Sequence, residues 1–255
     1  METDRLLIDF ADHITTVLTI EELRATSQAL FEIGLPQAWP LSEQPGFATV
    51  GIRFGNLNLE LCAVDRRFNK LNDWLTFEPV DLHNLANELT LRGIEHDPFD
   101  AVVIHGQPIY TRIGLPSLAE GLTALQLCHT FYPTRTTGPI APKNQAGIKN
   151  VSTINLGMSE RSKQTMGKLL LPKKLVSSVG FDQGPSLFMS SAEQLQVKGF
   201  SILVEDSVQA ANALIAAGMT RLDACSVQIG SLKIEIIDKR SPSSKDLSGE
   251  TDSGL

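Results

Sequence analysis

Cysteine is scarce in this sequence, with three residues in 255. An odd number at no metal-like spacing excludes a disulfide framework, and Cys62 and Cys128, inside apolar strand patterns, read as reduced, buried thiols. A basic excess is also missing. The net charge of -7 and a pI near 5.3 argue against a sequence-independent nucleic-acid binder, which needs a basic surface to displace counterions from phosphates. The Lys173-Lys174 pair is too small to change that. No apolar run is long enough to span a bilayer, and the start, Glu2-Thr3-Asp4, lacks the basic residues and apolar core of a signal segment. The expectation is therefore a cytoplasmic protein whose partners include neither membrane nor nucleic acid. There is no Gly-rich phosphate loop, no nucleophile elbow, no paired C-x-x-C and no H-E-x-x-H, so no organic cofactor is predicted.

What the chain does contain is a recurring layout: a short strand, an amphipathic helix ending at glycine, and further strands, the last carrying a polar residue between Leu or Ile. The first copy has the strand Asp12–Val17, a helix from about Ile20 to Ile33 capped by Thr19 and stopped by Gly34, and strands over 48–53 and 57–62. A second copy has a strand near Trp74–Phe77, a helix over 81–92 capped by Asp81 and stopped by Gly93, and strands over 101–104 and 125–128. Between Phe131 and Asn150, Pro, Thr, Gly and Lys prevail, which reads as a linker over 133–149. A third copy has the strand Val151–Leu156, a helix over 159–171 closed by Pro172, and strands over 175–180 and 186–190. The fourth has the strand Gly199–Val204, a helix over 206–217 stopped by Gly218, and strands over 226–229 and 232–237. Modules over 6–64 and 72–132 thus make an N-terminal domain, 150–239 makes a C-terminal one, and the polar stretch 240–255 is expected to be disordered. The fold class is α+β.

These residues carry a resemblance. The Asp12-His13-Ile14 start, the close at Phe31-Glu32-Ile33-Gly34, the strand Leu59-Glu60-Leu61, and Val80-Asp81-Leu82 leading to Leu91-Arg92-Gly93-Ile94 resemble the glyoxalase and extradiol dioxygenase (vicinal oxygen chelate) superfamily. Val204-Glu205-Asp206, closing at Ala217-Gly218-Met219, looks like the same element. The resemblance covers roughly Ile8 to Asp238. It implies four βαβββ modules paired into two cupped mixed sheets with helices outside, and a divalent metal (Fe, Mn, Zn or Ni) held in a cup by His, Glu or Gln from first and last strands. Such a metal binds neighbouring oxygens of a substrate and stabilises an enolate or activates dioxygen.

Carried over by position, His13 stands at the first-strand ligand place and Glu60 at the last-strand one. In the second module Gln126 takes the last-strand place, while Trp74, with no lone pair for a metal, falls at the first. The N-terminal cup then offers His13, Glu60 and Gln126 as metal ligands, with Glu60 alternatively a general base. In the C-terminal half only Glu235 remains, since Val151 or Ser152 and Gly199 stand where histidines are needed, so that cup reads as metal-free. Ring-cleaving dioxygenases of this plan usually carry His, His and Glu there, which counts against that activity. Tyr110 and Arg112, on one strand face, are candidate substrate contacts.

Each residue also has a plain structural reading: His13 as a hydrogen-bonded strand histidine, Gln126 in a polar network, Arg112 as a solvated arginine, and Trp39 and Trp74 as core. His129, three residues from Gln126, reaches the same cavity only through a bulge. Three functions stay open. One is a divalent-metal-dependent lyase, isomerase or dioxygenase acting on a small oxygenated molecule. Another is a metal-free small-molecule-binding protein of resistance or sequestration type. The last is an interface-building repeat protein, for which a homodimer is left open.

Overall fold

The computed structural model describes residues 6–67, 69–104, 107–131, 144–170 and 178–238. The expected tail over 240–255, residues 133–143 of the expected linker, and His105, Pro172 and the Lys173-Lys174 pair lie outside these.

The first module comprises β1 (Ile8–Val17), α1 (Ile20–Glu32), β2 (Gln37–Gln44), β3 (Phe47–Arg53) and β4 (Asn58–Val64). The second comprises β5 (Asp73–Pro79), α2 (Leu85–Leu91), β6 (Asp100–Ile104), β7 (Gln107–Glu120) and β8 (Thr123–Thr130). Together they form one eight-stranded sheet, ordered β2-β3-β4-β1-β5-β8-β7-β6. The third module comprises β9 (Ile148–Met158), α3 (Glu160–Leu170), β10 (Ser178–Val179) and β11 (Ser186–Ser191). The fourth has β12 (Gln196–Val204), α4 (Ser207–Ala216), β13 (Thr220–Asp223), β14 (Ser226–Ile229) and β15 (Leu232–Asp238). These nine elements build a seven-stranded sheet ordered β10-β11-β9-β12-β15-β14-β13. In every module the first strand pairs in parallel with the last. Modules join within each half through the antiparallel pairs β1–β5 and β9–β12.

Local chemistry sets the element ends. Thr19 and Glu22 close a capping box on α1, the Thr19 hydroxyl accepting from the Glu22 N–H and the Glu22 carboxylate from the Thr19 N–H. Gly34 and Gly218, just past the C-caps of α1 and α4, have φ of 90° and 92°, a region costly for residues with a Cβ. The expected helix over 81–92 is shorter than its spacing suggests. Asp81 Oδ1 accepts from the N–H groups of His83 and Asn84 in a turn, and α2 begins only at Leu85. Three strands escape sequence periodicity wholly or in large part: β2, an edge strand with Pro40 and little burial, β7, interrupted by Pro108, Gly114 and Pro116, and β13, which is exposed throughout.

Alternation sorts the side chains onto two faces. Ile14, Leu59, Leu61, Leu75, Phe77, Leu125 and Leu127 are buried on the helix side of the first sheet, and each such burial contributes ~1.5–3 kcal/mol. Both halves feed one core, in which the Phe54 and Phe200 rings meet edge to face at 5.6 Å. Polar clamps flank it. Asn150 Oδ1 accepts from the Asn56 N–H and Asn56 Oδ1 from the Val151 N–H, and Glu120 accepts from the Ser159 and Ser162 hydroxyls and the Leu195 N–H.

Candidate functional site

The face of the first sheet turned away from the helices is where the sequence candidates collect. Along β1, Ala11 pairs with Phe77 and His13 with Thr76, so β1 has one residue more than β5 between them and bulges at Asp12. The bulge brings Asp12 and His13 side by side, with Asp12 Oδ2 2.8 Å from His13 Nδ1. From there, register lays out two rows. His13 lies opposite Asn58 and Thr76, Thr76 opposite Gln126, and Gln126 opposite Gly114. In the adjacent row, Thr15 lies opposite Glu60 and Trp74, and Glu60 opposite Gly51.

Glu60 is only 8% exposed, and a carboxylate so placed needs donors. Both oxygens have one: Thr15 Oγ1 donates to Oε2 at 2.6 Å and Thr49 Oγ1 to Oε1 at 2.5 Å. His13 Nε2 is 3.6 Å from Glu60 Oε2, beyond hydrogen-bond range. Trp39 donates through Nε1 to the Thr49 hydroxyl at 3.3 Å and meets the His13 ring edge-on at 5.6 Å. Next to Glu60, burial first and then the Glu60 charge push the Cys62 thiol far above its ordinary value, which makes it an inert wall. Gln126 gives its amide N–H to Thr76 Oγ1 at 2.9 Å.

Tyr110 and Arg112 both belong to β7. Burial raises the Tyr110 phenol, Arg112 opposes this, and the charge of Glu60 is among the smaller contributions that raise it further. Four strand spacings separate β4 from β7 in the sheet order. Arg112 is half exposed and bound to Asp100, Nε to Oδ2 at 2.7 Å. His129 lies past the last β5–β8 pair, Phe77–Leu127, and its Nδ1 bonds Glu78 Oε1. His96 binds Thr90 and its neighbour's carbonyl in a loop.

Sequence reasoning missed Asp12, Thr15, Thr49, Glu78 and Asp97 as members of this face. Glycine was the available signal. A Cβ at Gly51 would sit 2.3 Å from the Trp39 ring, and one at Gly114 would sit 2.1 Å from Asp97 Oδ2. Glycine inside a strand marks such close approach.

The equivalent face of the second sheet is poorer in ligand-type groups. Ser201 Oγ donates to Glu235 Oε2 at 3.0 Å, and Lys233 Nζ is 3.1 Å from Glu235 Oε1, with both charged side chains 43% exposed. All five histidines precede residue 130. A cavity of about 310 Å³ lies away from both faces, between the start of α1 and the β2–β3 turn, lined by Leu18, Ile20, Phe47, Ala63, Glu43 and Asp65. Its acids are engaged, Glu43 by Arg24 and Asp65 by Arg67.

Two curled mixed sheets, each built from a pair of modules in which a strand and a helix are followed by further strands, have the glyoxalase-like fold. The solved structures agree. A mutant of 4-hydroxymandelate synthase from Streptomyces coelicolor superposes with a TM-score of 0.55 over 86% of this chain and 76% of its own, at 13% identity. A hypothetical protein from Staphylococcus aureus gives 0.55 over 90% of this chain and 98% of its own, at 9% identity. A xylose isomerase-like TIM barrel/4-hydroxyphenylpyruvate dioxygenase fusion protein gives 0.52 over 86% of this chain and 40% of its own, at 12% identity. No protein-family model and no curated protein matches the sequence. At such identities the likeness concerns the fold, which carries many chemistries.

Proposed function

We propose that the helix-free face of the N-terminal sheet binds a small oxygenated molecule without a resident metal. The observation that carries this reading is the pairing of each last-strand polar group with a hydroxyl directly opposite, Glu60 with Thr15 and Gln126 with Thr76. A metal-dependent lyase, isomerase or dioxygenase asks for at least three ligands aimed at one ion. Among the described residues no group of three His, Cys, Asp or Glu side chains is placed to hold one. Gln126 stands two strands away from His13, with Thr76 between them. The residues present therefore do not fit the metal that the fold family implies.

In this reading Thr15, Thr76 and Glu60 are the buried floor, and Thr49, Tyr110 and Gln126 the half-exposed wall. Glu60 anchors the floor, each of its oxygens accepting a hydrogen bond from a hydroxyl. Asp12 orients His13 through Nδ1, which suits the ring to exchanging a hydrogen bond or a proton with a bound oxygen. The test is metal content by mass spectrometry on untagged protein purified without chelator, alongside His13→Ala and Glu60→Ala. The expected result is substoichiometric metal in all three proteins, also after incubation with Fe, Mn, Zn or Ni. Near-stoichiometric metal in the wild type, lost in both variants, would overturn the proposal.

A further inference from the structure

The polar floor of the first sheet is buried although no helix packs on that face. Thr15 is fully buried, Glu60 nearly so, and the His13 side chain is 12% exposed. The side chain that meets this floor from outside comes from the edge of the sheet. Register sets Trp39 of β2 opposite Gly51, Gly51 opposite Glu60, and Glu60 opposite Thr15. Three indole atoms of Trp39 would lie 2.3, 2.4 and 2.6 Å from a Cβ at Gly51, so the ring occupies the place of a Gly51 side chain, next in the row to Glu60. The same ring meets His13 edge to face and donates through Nε1 to Thr49, the residue that in turn donates to Glu60.

The strand that carries this ring is anchored on both sides of it and interrupted between. β2 ends the sheet and pairs with β3 alone. Its register to β3 shifts between Gln37 and Trp39 and again between Trp39 and Ser42, and Pro40, the next residue, has no N–H to give to a ladder. Before the interruption, the Arg53 N–H holds the Pro36 carbonyl at 2.8 Å. After it, Ser42, Glu43 and Gln44 pair in order with Thr49, Ala48 and Phe47, and Arg24 of α1 clasps Glu43, Nε to Oε1 at 2.8 Å and Nη2 to Oε2 at 2.7 Å. Trp39 thus stands where the strand is least tied to its neighbour.

From this geometry we infer that Trp39 is a gate over the polar floor, carried on the interrupted stretch of β2. This rests on the reading of the face as a binding surface. Closed, the indole lies over Gly51 and against His13, as in this structure. Open, it turns away with the stretch around Pro40 while both anchors hold, and His13, Thr49 and Glu60 become accessible to an oxygenated ligand. The movement gives up one side-chain hydrogen bond, to Thr49, where the ladder is already broken, so it is a local opening and not an unfolding of the sheet. Gly51 is required because any side chain there holds the ring off.

Histidine acylation reads the gate without any ligand. Diethyl pyrocarbonate is added to the full-length protein at neutral pH, and peptide mass spectrometry follows modification of His13 against that of His83, which is exposed. In the wild type His13 is expected to react roughly tenfold more slowly than His83, at a rate that urea below the unfolding transition leaves unchanged, since a local opening exposes little surface. Trp39→Ala and Gly51→Ala, each checked for folding by circular dichroism, should bring His13 to about the rate of His83. Trp39→Phe, which keeps a ring but loses the N–H donated to Thr49, should fall between. An unchanged His13 rate in the folded Trp39→Ala or Gly51→Ala protein would overturn the gate, and so would a wild-type rate that climbs with urea along the global unfolding curve. Either failure strikes the gate alone, because the reading of the face as a metal-free binding surface is decided separately by the metal measurement.

Discussion

Replacing Thr15 by valine probes the floor of the site with little change of shape. The substitution removes the hydroxyl that donates to Glu60 Oε2 at 2.6 Å and leaves the Thr49 bond to Oε1 in place. Thr15 is fully buried and Glu60 nearly so, so water does not readily take over the lost donor. A hydrogen bond to a charged group is worth ~1.5–3 kcal/mol. For a chain of this size about 2–4 °C of Tm follows each kcal/mol, which predicts a drop of roughly 3–12 °C. One group nearby can soften the loss, since His13 Nε2, 3.6 Å from the same oxygen, can close on it. Thr15→Val combined with His13→Gln is therefore expected to cost more than the two single changes added together. Urea unfolding followed by tryptophan fluorescence gives all four free energies. A Thr15→Val midpoint indistinguishable from wild type would refute the idea that hydroxyls hold a charged Glu60 on this floor.

Other perturbations test the framework behind the site. Burial raises the Asp73 carboxyl above its ordinary value, and hydrogen bonds from Thr123, Ser231 and the Val197 N–H only partly offset this. The folded state then holds its proton to higher pH than the unfolded state does. Stability therefore falls as pH rises from about 4 through the folded value, and Asp73→Asn should flatten that slope; parallel Tm profiles of wild type and variant between pH 3.5 and 7 would contradict it. Phe200→Ala removes a ring from the core shared by both halves and should cost ~3–5 kcal/mol within a single calorimetric transition, whereas two separate transitions would show that the halves melt independently. At Gly199 an added Cβ would lie 1.8 Å from the Lys233 carbonyl oxygen, and at Gly180 its nearest contact would be 3.8 Å from the Ser186 hydroxyl. Gly199→Ala should part β12 from β15 and lose Tm or solubility, with Gly180→Ala as the near-neutral control in the same thermal assay.

Much of the fold was legible because its signals are local. Period-2 alternation marked β4, β12 and β15, and helix stops at Gly34, Gly93 and Gly218 marked the repeat. β2 and most of β7 were not read as strands, because Pro40, Pro108, Gly114 and Pro116 interrupt the pattern, and strands with such breaks are defined by their neighbours in the sheet. The site was harder to read for the same reason. That Glu60 faces away from the helices follows from its register with Thr15, a pairing between residues 45 apart. Asp12 joined His13 through a bulge, and a bulge reverses the parity on which a sequence argument depends.

The internal repeat supplies its own argument about what the last-strand polar group does in this chain. Modules one, two and four each pair it with a hydroxyl on the first strand: Thr15 with Glu60, Thr76 with Gln126, and Ser201 with Glu235. The third module breaks the series, with Asn155 opposite Phe188. A hydroxyl gives a carboxylate or amide a hydrogen-bond partner, so the repeated pair is a means of keeping a polar group beneath a concave sheet. Burial then distinguishes the two halves. Glu235 shares its carboxylate with an exposed lysine at the surface, whereas Glu60 lies under His13, Trp39 and Thr49. The ligand face we propose is therefore the one on the first sheet, whose polar floor is the more deeply buried of the two.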